Sequence, residues 1–540
     1  MGTTTSIAPR SPAVHHAPRT RETVPPPRTT PPPRVGHSDV STFERGPAAR
    51  TEARARLEGV LERSGTDAAL RSRVLGRIDR LPEAEQAREQ ALLERVASGP
   101  NGARAVRAYD EISELAGSSR RARERLTPEL RESLVRGVAE PRTADRLGQE
   151  GILGVHQATT AARALVDMPQ ARYDRLRDSF ARAGQSHAAS PSADPQAERA
   201  LMLDAVAARA PQLSRRGAAG DAALDEVTGF ASEVRGLPRD ELIRTTSAID
   251  LDGSRSTSSV RASDLGRAGT DTLGNNDGLV QRFTDSCGPT SAQIARAELD
   301  PVYARRLHRE GVSATSTEGA LAAEQRETLE AGHGVAVSRE QRGRAMDALE
   351  RIQAAVHGEP EAVRSRLGSY LRGELTDTTE LAGVAVDLDR IRGRTGGRPT
   401  AEDLRVIREV RRQPAGEGML FDAALDRIAG GAAHSRYAMR DAGAHGITAR
   451  QADDMARRLE AGDDVGIRIC DSSGGSGHFL MMTDVRGEGA DRQFLVSDPW
   501  SGRTDWVREQ DLRTQGTHAF ESQFALGANQ DRVSTYYYPR

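Results

Sequence analysis

The chain has 540 residues, a net charge of −2, 37% hydrophobic residues and only 4% aromatic residues. This length is too great for one hydrophobic core and predicts two or three domains. A charge so close to zero gives no general attraction to nucleic acid, so no nucleic-acid partner is expected. No apolar run approaches the length of a membrane span, so no transmembrane segment is expected either.

The basic and sulfur-containing residues limit the kinds of site that the chain can form. All 76 basic residues are arginine and none is lysine. Either a coding bias or selection against lysine chemistry, such as ubiquitin attachment in a eukaryotic host cell, accounts for this composition. The two cysteines, Cys287 and Cys470, are too few for a disulfide framework or a cysteine-based zinc site. The sequence therefore predicts no cofactor and no metal.

Residues 1–45 are rich in proline, threonine, arginine and serine, with two proline triplets. Such a stretch cannot bury enough apolar surface to fold, so we predict a disordered tail. The chain start lacks the basic-then-apolar layout of a secretory signal. We expect a protein that is cytoplasmic, or that is secreted into a target cell without a cleaved signal peptide. In the second case the N-terminal region is the candidate contact for secretion machinery or a chaperone.

Residues 46–250 are rich in alanine, leucine, arginine and glutamate, and their apolar residues recur at helical spacing, as in Leu70, Val74 and Ile78. Glycine- and serine-containing turns separate the periodic segments. This pattern predicts an all-α domain. Residues 251–286 change to aspartate, serine, glycine and asparagine, which indicates a linker or loop leading into a catalytic domain over 251–540.

The end of the chain has the pattern of a β-sheet. Helical periodicity continues after Cys287 to about residue 460, and β-type segments follow. Runs of β-branched and apolar residues, with Gly487-Glu488-Gly489 as a turn between two of them, predict four strands, at residues 465–470, 478–485, 493–497 and 504–507.

Cys287 stands in the segment Ser286-Cys287-Gly288-Pro289, followed by a helix-forming run. Proline is favoured in the first turn of a helix, so Cys287 is predicted at a helix N-terminus. The positive end of the helix dipole favours the thiolate, which is the nucleophilic form of cysteine. Cys287 is therefore the candidate nucleophile, whereas Cys470 lies within a predicted strand and is interpreted as a core residue.

His478 opens a predicted apolar strand after Gly477, a placement that suits an imidazole taking a thiol proton. Asp498 follows twenty residues later, at the end of the next predicted strand, where its carboxylate can orient the second ring nitrogen. Asp484 is the competing acid, but six residues along a strand would place it far from His478. The sequence thus predicts a Cys287–His478–Asp498 triad.

The set Q-x5-C-G-P-T-S, then G-H before an apolar strand, then a strand ending in D-P-W-x-G, resembles the bacteriocin-processing (double-glycine) peptidases of ABC exporters and their stand-alone relatives. These are papain-like cysteine peptidases, and the resemblance covers about residues 281–300 and 465–512. It implies a papain-like α+β domain. It also implies that Gln281, six residues before Cys287, donates to the oxyanion together with the backbone N–H of Cys287.

The long separation between Cys287 and His478 departs from that family. We interpret residues 315–460 as a helical insertion that shapes substrate access, which puts double-glycine leader processing in doubt.

The expected function is that of a cysteine peptidase acting on a protein or peptide through a thioester acyl-enzyme, as a bacterial effector or toxin. Glutamine deamidation or acyl transfer uses the same chemistry and stays open. So does a different class, a binding or scaffold protein with a vestigial site.

Overall fold

The computed structural model describes residues 47–141, 151–183, 193–247, 279, 281, 283, 286–310, 319–331, 339–372, 375, 377–411, 421–433, 435–443, 446–470, 477–499, 503–513 and 532–540. The predicted tail at 1–45 and almost all of the predicted linker at 251–286 lie outside these ranges. Within them the protein is a mixed α+β structure that is mostly helical and has one antiparallel sheet.

The first half of the chain is helical throughout its described part, and its helices are α1 (Pro47–Arg63), α2 (Ala68–Ile78), α3 (Glu83–Ala97), α4 (Gly102–Gly117), α5 (Arg120–Arg125), α6 (Pro128–Ala139), α7 (Val155–Asp167), α8 (Gln170–Ala183), α9 (Pro195–Ala208), α10 (Ala210–Ser214), α11 (Ala218–Val234) and α12 (Arg239–Arg244). We call α1–α12 the helical region. Polar caps set several helix starts: Asp67 accepts a hydrogen bond from the backbone N–H of Leu70, for example. The periodic residues Leu70, Val74 and Ile78 are buried in one large shared core, as their spacing predicts.

The second half contains α13 (Cys287–Leu299), α14 (Pro301–Glu310), α15 (Ala320–Ala331), α16 (Arg339–Ala355), α17 (Glu361–Arg372), α18 (Thr378–Thr395), α19 (Ala401–Arg411), α20 (Phe421–Ile428), α21 (Gly430–Ala433), α22 (Ala449–Ala461) and α23 (Glu509–Arg513). Its strands are β1 (Tyr437–Asp441), β2 (Val465–Cys470), β3 (Gly477–Arg486), β4 (Gln493–Asp498), β5 (Arg503–Arg508) and β6 (Arg532–Pro539). No described helix is long and apolar enough to cross a membrane.

The six strands form one sheet in the order β1-β6-β2-β3-β4-β5, and each neighbouring pair is antiparallel. The four strands predicted from the sequence are present as β2–β5. Strands β1 and β6 were not predicted, and β6 lies inside the sheet between β1 and β2. The last strand of the chain is therefore a central strand, formed by a pairing that is distant in sequence.

The predicted insertion at 315–460 contains two kinds of element. Helices α16–α19 bury a hydrophobic core of their own, which includes Leu367, Leu388 and Ile407. The elements on either side pack elsewhere: Leu321 of α15 and Phe421 of α20 share a core with α13, and Met455 of α22 packs beneath the sheet. Within the described part of the predicted insertion, only 339–411 thus has a core separate from that of α13 and the sheet.

The helical region contacts the second half of the chain through hydrogen bonds that are buried or partly buried. Arg209 donates to the Asp300 carboxylate at 2.7 Å, and the Gln157 side chain donates to the Gly462 carbonyl at 2.7 Å. Arg104 donates to the Asp484 carboxylate at 3.1 Å. The helical region and the sheet are therefore parts of one packed structure.

The close packing of α20 on the sheet requires Gly466. A Cβ atom at Gly466 would lie 2.5 Å from Cε1 of the buried Phe421 ring. We expect Gly466→Ala to lower the free energy of unfolding by about 1–3 kcal/mol, because the added methyl overpacks the core. The control is Gly229→Ala in α11, where no neighbouring heavy atom lies within 4 Å; it should raise stability by about 0.5–1 kcal/mol. Thermal unfolding of both variants measures the difference, and equal midpoints would contradict the packing described here.

Candidate active site

Cys287 is the first residue of α13, as the sequence predicts. The first turn of a helix leaves its backbone N–H groups without intrahelical acceptors. Helix α13 packs on β3, where the Ser291 hydroxyl donates to the Phe479 carbonyl at 3.1 Å. Phe479 in turn stacks on Phe421, with ring centroids 4.3 Å apart. The start of α13 is thereby held beside the start of β3.

His478 and Asp498 meet because β3 and β4 are adjacent antiparallel strands. Met482 pairs with Val496, so His478 and Asp498 lie on the same face of the two strands as diagonal neighbours. His478 Nε2 lies 2.6 Å from Asp498 Oδ1. The two side chains are 3% and 0% exposed, so the pair is shielded from water.

The third member of the predicted triad joins this pair, since the Cys287 thiol is hydrogen-bonded to the His478 side chain. Nε2 faces Asp498, so Nδ1 is the ring nitrogen left to face the sulfur. Burial alone would lower the pKa of His478, but the Asp498 carboxylate and the Cys287 sulfur outweigh it and raise that pKa to about 10. The imidazolium is therefore the stable form of His478 at neutral pH.

Gln281 also lies next to these residues. Its backbone N–H donates to the carbonyl of Pro499 at 2.8 Å, which fixes it beside the end of β4. Its side-chain oxygen is buried and has no hydrogen-bond partner among the described residues. The structure thus brings all four predicted site residues to one place, although the rest of the Asp498-Pro499-Trp500 motif, from Trp500 on, lies outside the described residues.

A buried chain of polar side chains next to Cys287 was not predicted from the sequence. The Ser286 hydroxyl donates to Gln325 Oε1 at 3.2 Å, and the Gln325 amide donates to Gln293 Oε1 at 2.9 Å. The Gln293 amide donates to Glu324 at 2.8 Å. Ser286, Gln293 and Gln325 are fully buried. This chain joins α15 to the turn that presents Cys287, and the only sequence signal for it is a pair of polar residues at apolar positions of two helices.

The alternative candidates have other roles. Cys470 is a free, buried cysteine at the end of β2, consistent with its interpretation as a core residue. Asp484 is fully buried on β3 and pairs with Arg104 rather than with His478. Among the described residues, no group of three or more histidine, cysteine, aspartate and glutamate side chains could hold a metal ion.

No family model, curated protein or solved structure matches this chain.

The raised pKa of His478 makes the reactivity of Cys287 testable. The imidazolium of His478 persists up to about pH 10, and a cationic neighbour makes a cysteine more reactive. Iodoacetamide should therefore alkylate Cys287 faster than Cys470 at pH 7 and at pH 9. In Asp498→Asn the pKa of His478 falls, because the carboxylate that raises it is removed, and the alkylation of Cys287 at neutral pH should become slower.

The raised pKa of His478 also makes the stability of the fold depend on pH. A raised histidine pKa stabilises the fold fully below the ordinary value of about 6.5, and this contribution is lost as the pH rises through about 10.

In the alkylation experiment, peptide mapping identifies the modified thiol. Faster labelling of Cys470 than of Cys287 would contradict the assignment of the nucleophile.

Proposed function

We propose that the second half of the chain is a cysteine hydrolase with a papain-like arrangement of its site, and that its reaction is the hydrolysis of peptide bonds. The supporting observation is the buried Cys287–His478–Asp498 constellation, with the thiol at a helix N-terminus and the imidazole held by a carboxylate at 2.6 Å. In this reading Cys287 is the nucleophile, His478 the general base and acid, and Asp498 the orienting acid.

The first half of the reaction forms an acyl-enzyme. The Cys287 thiolate attacks the carbonyl carbon of the scissile peptide bond, and the carbonyl oxygen becomes an oxyanion. When this tetrahedral intermediate collapses, the C–N bond breaks, and the leaving amine takes the proton from Nδ1 of His478. The products of this step are a free amine and a thioester on Cys287.

The second half of the reaction returns the enzyme to its starting state. Water attacks the thioester carbonyl and gives one proton to His478, and collapse of the second intermediate breaks the C–S bond. A carboxylic acid leaves, and the thiolate–imidazolium pair is restored. Asp498 holds the ring in the same orientation throughout and stabilises its charged form, without taking the proton itself.

The oxyanion requires hydrogen-bond donors, and we assign this role to two groups. One is the backbone N–H of Cys287, the first residue of α13. The other is the side-chain amide of Gln281. A half-turn of that amide places its NH₂ group at the buried, unpartnered position now held by its oxygen. An oxyanion bound there would satisfy a polar position that is otherwise costly to bury.

The reaction is tested by incubating the protein with a proteome and analysing the products by mass spectrometry. Hydrolysis of peptide bonds produces new protein termini that depend on Cys287, and we expect these. Deamidation would instead convert glutamine side chains to glutamate without new termini, and would move the proposal to that alternative. Identical products from wild type and Cys287→Ala would support the vestigial site.

The three triad residues should contribute unequally. Cys287→Ala should abolish turnover, because no thioester can form. Asp498→Ala should remain roughly 100-fold more active than His478→Ala, since orientation is less critical than proton transfer. Steady-state kinetics on a peptide identified in the proteome experiment measures the order, and circular dichroism verifies that each variant is folded. Equal losses in the Asp498 and His478 variants would contradict the roles assigned to them.

The α16–α19 unit should influence substrate choice rather than the reactivity of the thiol. It has its own core and follows α15, whose polar chain reaches the Cys287 turn. Replacing 339–411 with a glycine–serine linker should leave alkylation of Cys287 unchanged and alter the set of cleaved peptides. A folded deletion variant that loses thiol reactivity would show that this unit belongs to the catalytic core.

A further inference from the structure

Strand β3, which carries His478, contains a β-bulge partway along its pairing with β4. Met482 pairs with Val496 before the bulge, and Asp484 pairs with Leu495 after it. Thr483 is therefore an extra residue on β3, buried and opposite no residue of its own on β4. Bulges of this kind redirect the side chains of a strand and are common beside active sites.

The bulge determines which face of the sheet His478 occupies. Side chains alternate along a strand, so an extra residue turns every side chain on one side of it to the opposite face. With the bulge, Met482 and Val485 both enter the core beneath the sheet although they are three residues apart. His478 then shares a face with Asp498. Without the bulge, the register of the Val485–Phe494 pair would continue unchanged along β3 and β4. His478 would then lie on the face opposite to Asp498.

The bulge contains a carboxylate that water does not reach. Asp484 is fully buried, and its Oδ1 accepts a hydrogen bond from the backbone N–H of Val485 at 2.7 Å. Arg104 of α4 donates from Nη2 to the same Oδ1 at 3.1 Å and to the Val485 carbonyl at 3.2 Å. One guanidinium thus binds both the charge and a backbone oxygen of the bulge. A buried carboxylate is stable only with such a partner.

Arg104 is itself held firmly by the helical region. It lies in the first turn of α4, two residues after Gly102. A Cβ atom at Gly102 would lie 2.3 Å from the Ala97 carbonyl oxygen, so the start of α4 sits against the end of α3 with no space for a side chain. The Arg104 side chain is only 17% exposed. The guanidinium therefore comes from a fixed position.

We propose that Arg104 is a positioning residue for the site: by binding the Asp484–Val485 bulge, it maintains the β3–β4 register that brings His478 to Asp498. The helical region is then part of the catalytic apparatus, not an independent attachment. This inference rests on the proposed function. Arg104 touches neither substrate nor the reacting atoms, so its effect reaches the reaction only through the strand that carries the base.

The test compares three variants of the full-length protein. Arg104→Met removes the donors and keeps the side-chain length. Arg104→Met combined with Asp484→Leu also removes the buried charge that the first variant leaves unpaired, so it should fold even where the single variant does not. Arg209→Met is the matched control, because Arg209 also comes from the helical region and makes a buried ion pair, with Asp300 beyond the far end of α13.

The measured quantity is the rate of Cys287 alkylation by iodoacetamide as a function of pH, on protein whose folding is verified by circular dichroism. At neutral pH we expect both Arg104 variants to react ~10- to 100-fold more slowly than wild type, as a displacement of catalytic groups by about an ångström predicts. Their dependence of alkylation rate on pH should differ from that of the wild type, because His478 is displaced from Cys287. Arg209→Met should keep the wild-type profile even if it melts at a lower temperature, because a loss of stability alone does not alter the thiolate in folded protein.

Two results would overturn the inference. One is a wild-type alkylation profile in the folded double variant. The other is an equal shift of the profile in Arg209→Met, which would indicate general loosening rather than positioning. Neither result affects the proposed function, which fails separately if Cys287 of the wild-type protein shows no elevated reactivity at neutral pH.

Discussion

The hydrogen bond between His478 and Asp498 is the interaction on which the site depends. Both side chains are buried, and two ionisable groups removed from water are stable together only when each compensates the charge of the other. Their 2.6 Å contact also fixes the imidazole ring, which directs its second nitrogen towards Cys287. One contact thus sets both the charge state and the orientation of the His478 ring.

That contact is maintained by parts of the chain that are far apart in sequence. The Cys287 turn is held by the polar chain through Gln325 of α15, and the register of the histidine strand includes a bulge bound by Arg104. Arginine suits such positions because its planar group can bind a carboxylate and a carbonyl at once. Arg104 uses this geometry, because its guanidinium donates both to the Asp484 carboxylate and to the Val485 carbonyl.

Much of the candidate site can be predicted from the sequence, because short local patterns position its residues. The helix start at Cys287 follows from Gly288-Pro289, and the hairpin that brings His478 to Asp498 follows from two apolar runs around a glycine turn. Strand β6 has the β-forming residues Val533 and Tyr536, but nothing local indicates that it pairs centrally with β1 and β2.

The supporting contacts are of the kind that sequence patterns do not reveal. Arg104 and Asp484 are 380 residues apart, and each resembles an ordinary surface charge in its own segment. Gln325 lies between Leu321 and Leu329 on the buried face of α15, but the sequence does not indicate which polar partners it meets there. The predicted insertion was too broad to separate α16–α19, which have their own core, from α15 and α20, which pack against α13. The two groups of helices have the same apolar periodicity in sequence, and they differ only in the elements against which they pack.

We propose that Cys287 forms a covalent acyl-enzyme, and intact-protein mass spectrometry can detect this species. The protein is mixed with an activated acyl ester at neutral pH and quenched in acid after a short interval, before water resolves the thioester. We expect one acyl group per chain, located on Cys287, absent from Cys287→Ala and formed much more slowly in His478→Ala. An unmodified wild-type protein, or acylation that is indifferent to His478, would contradict it.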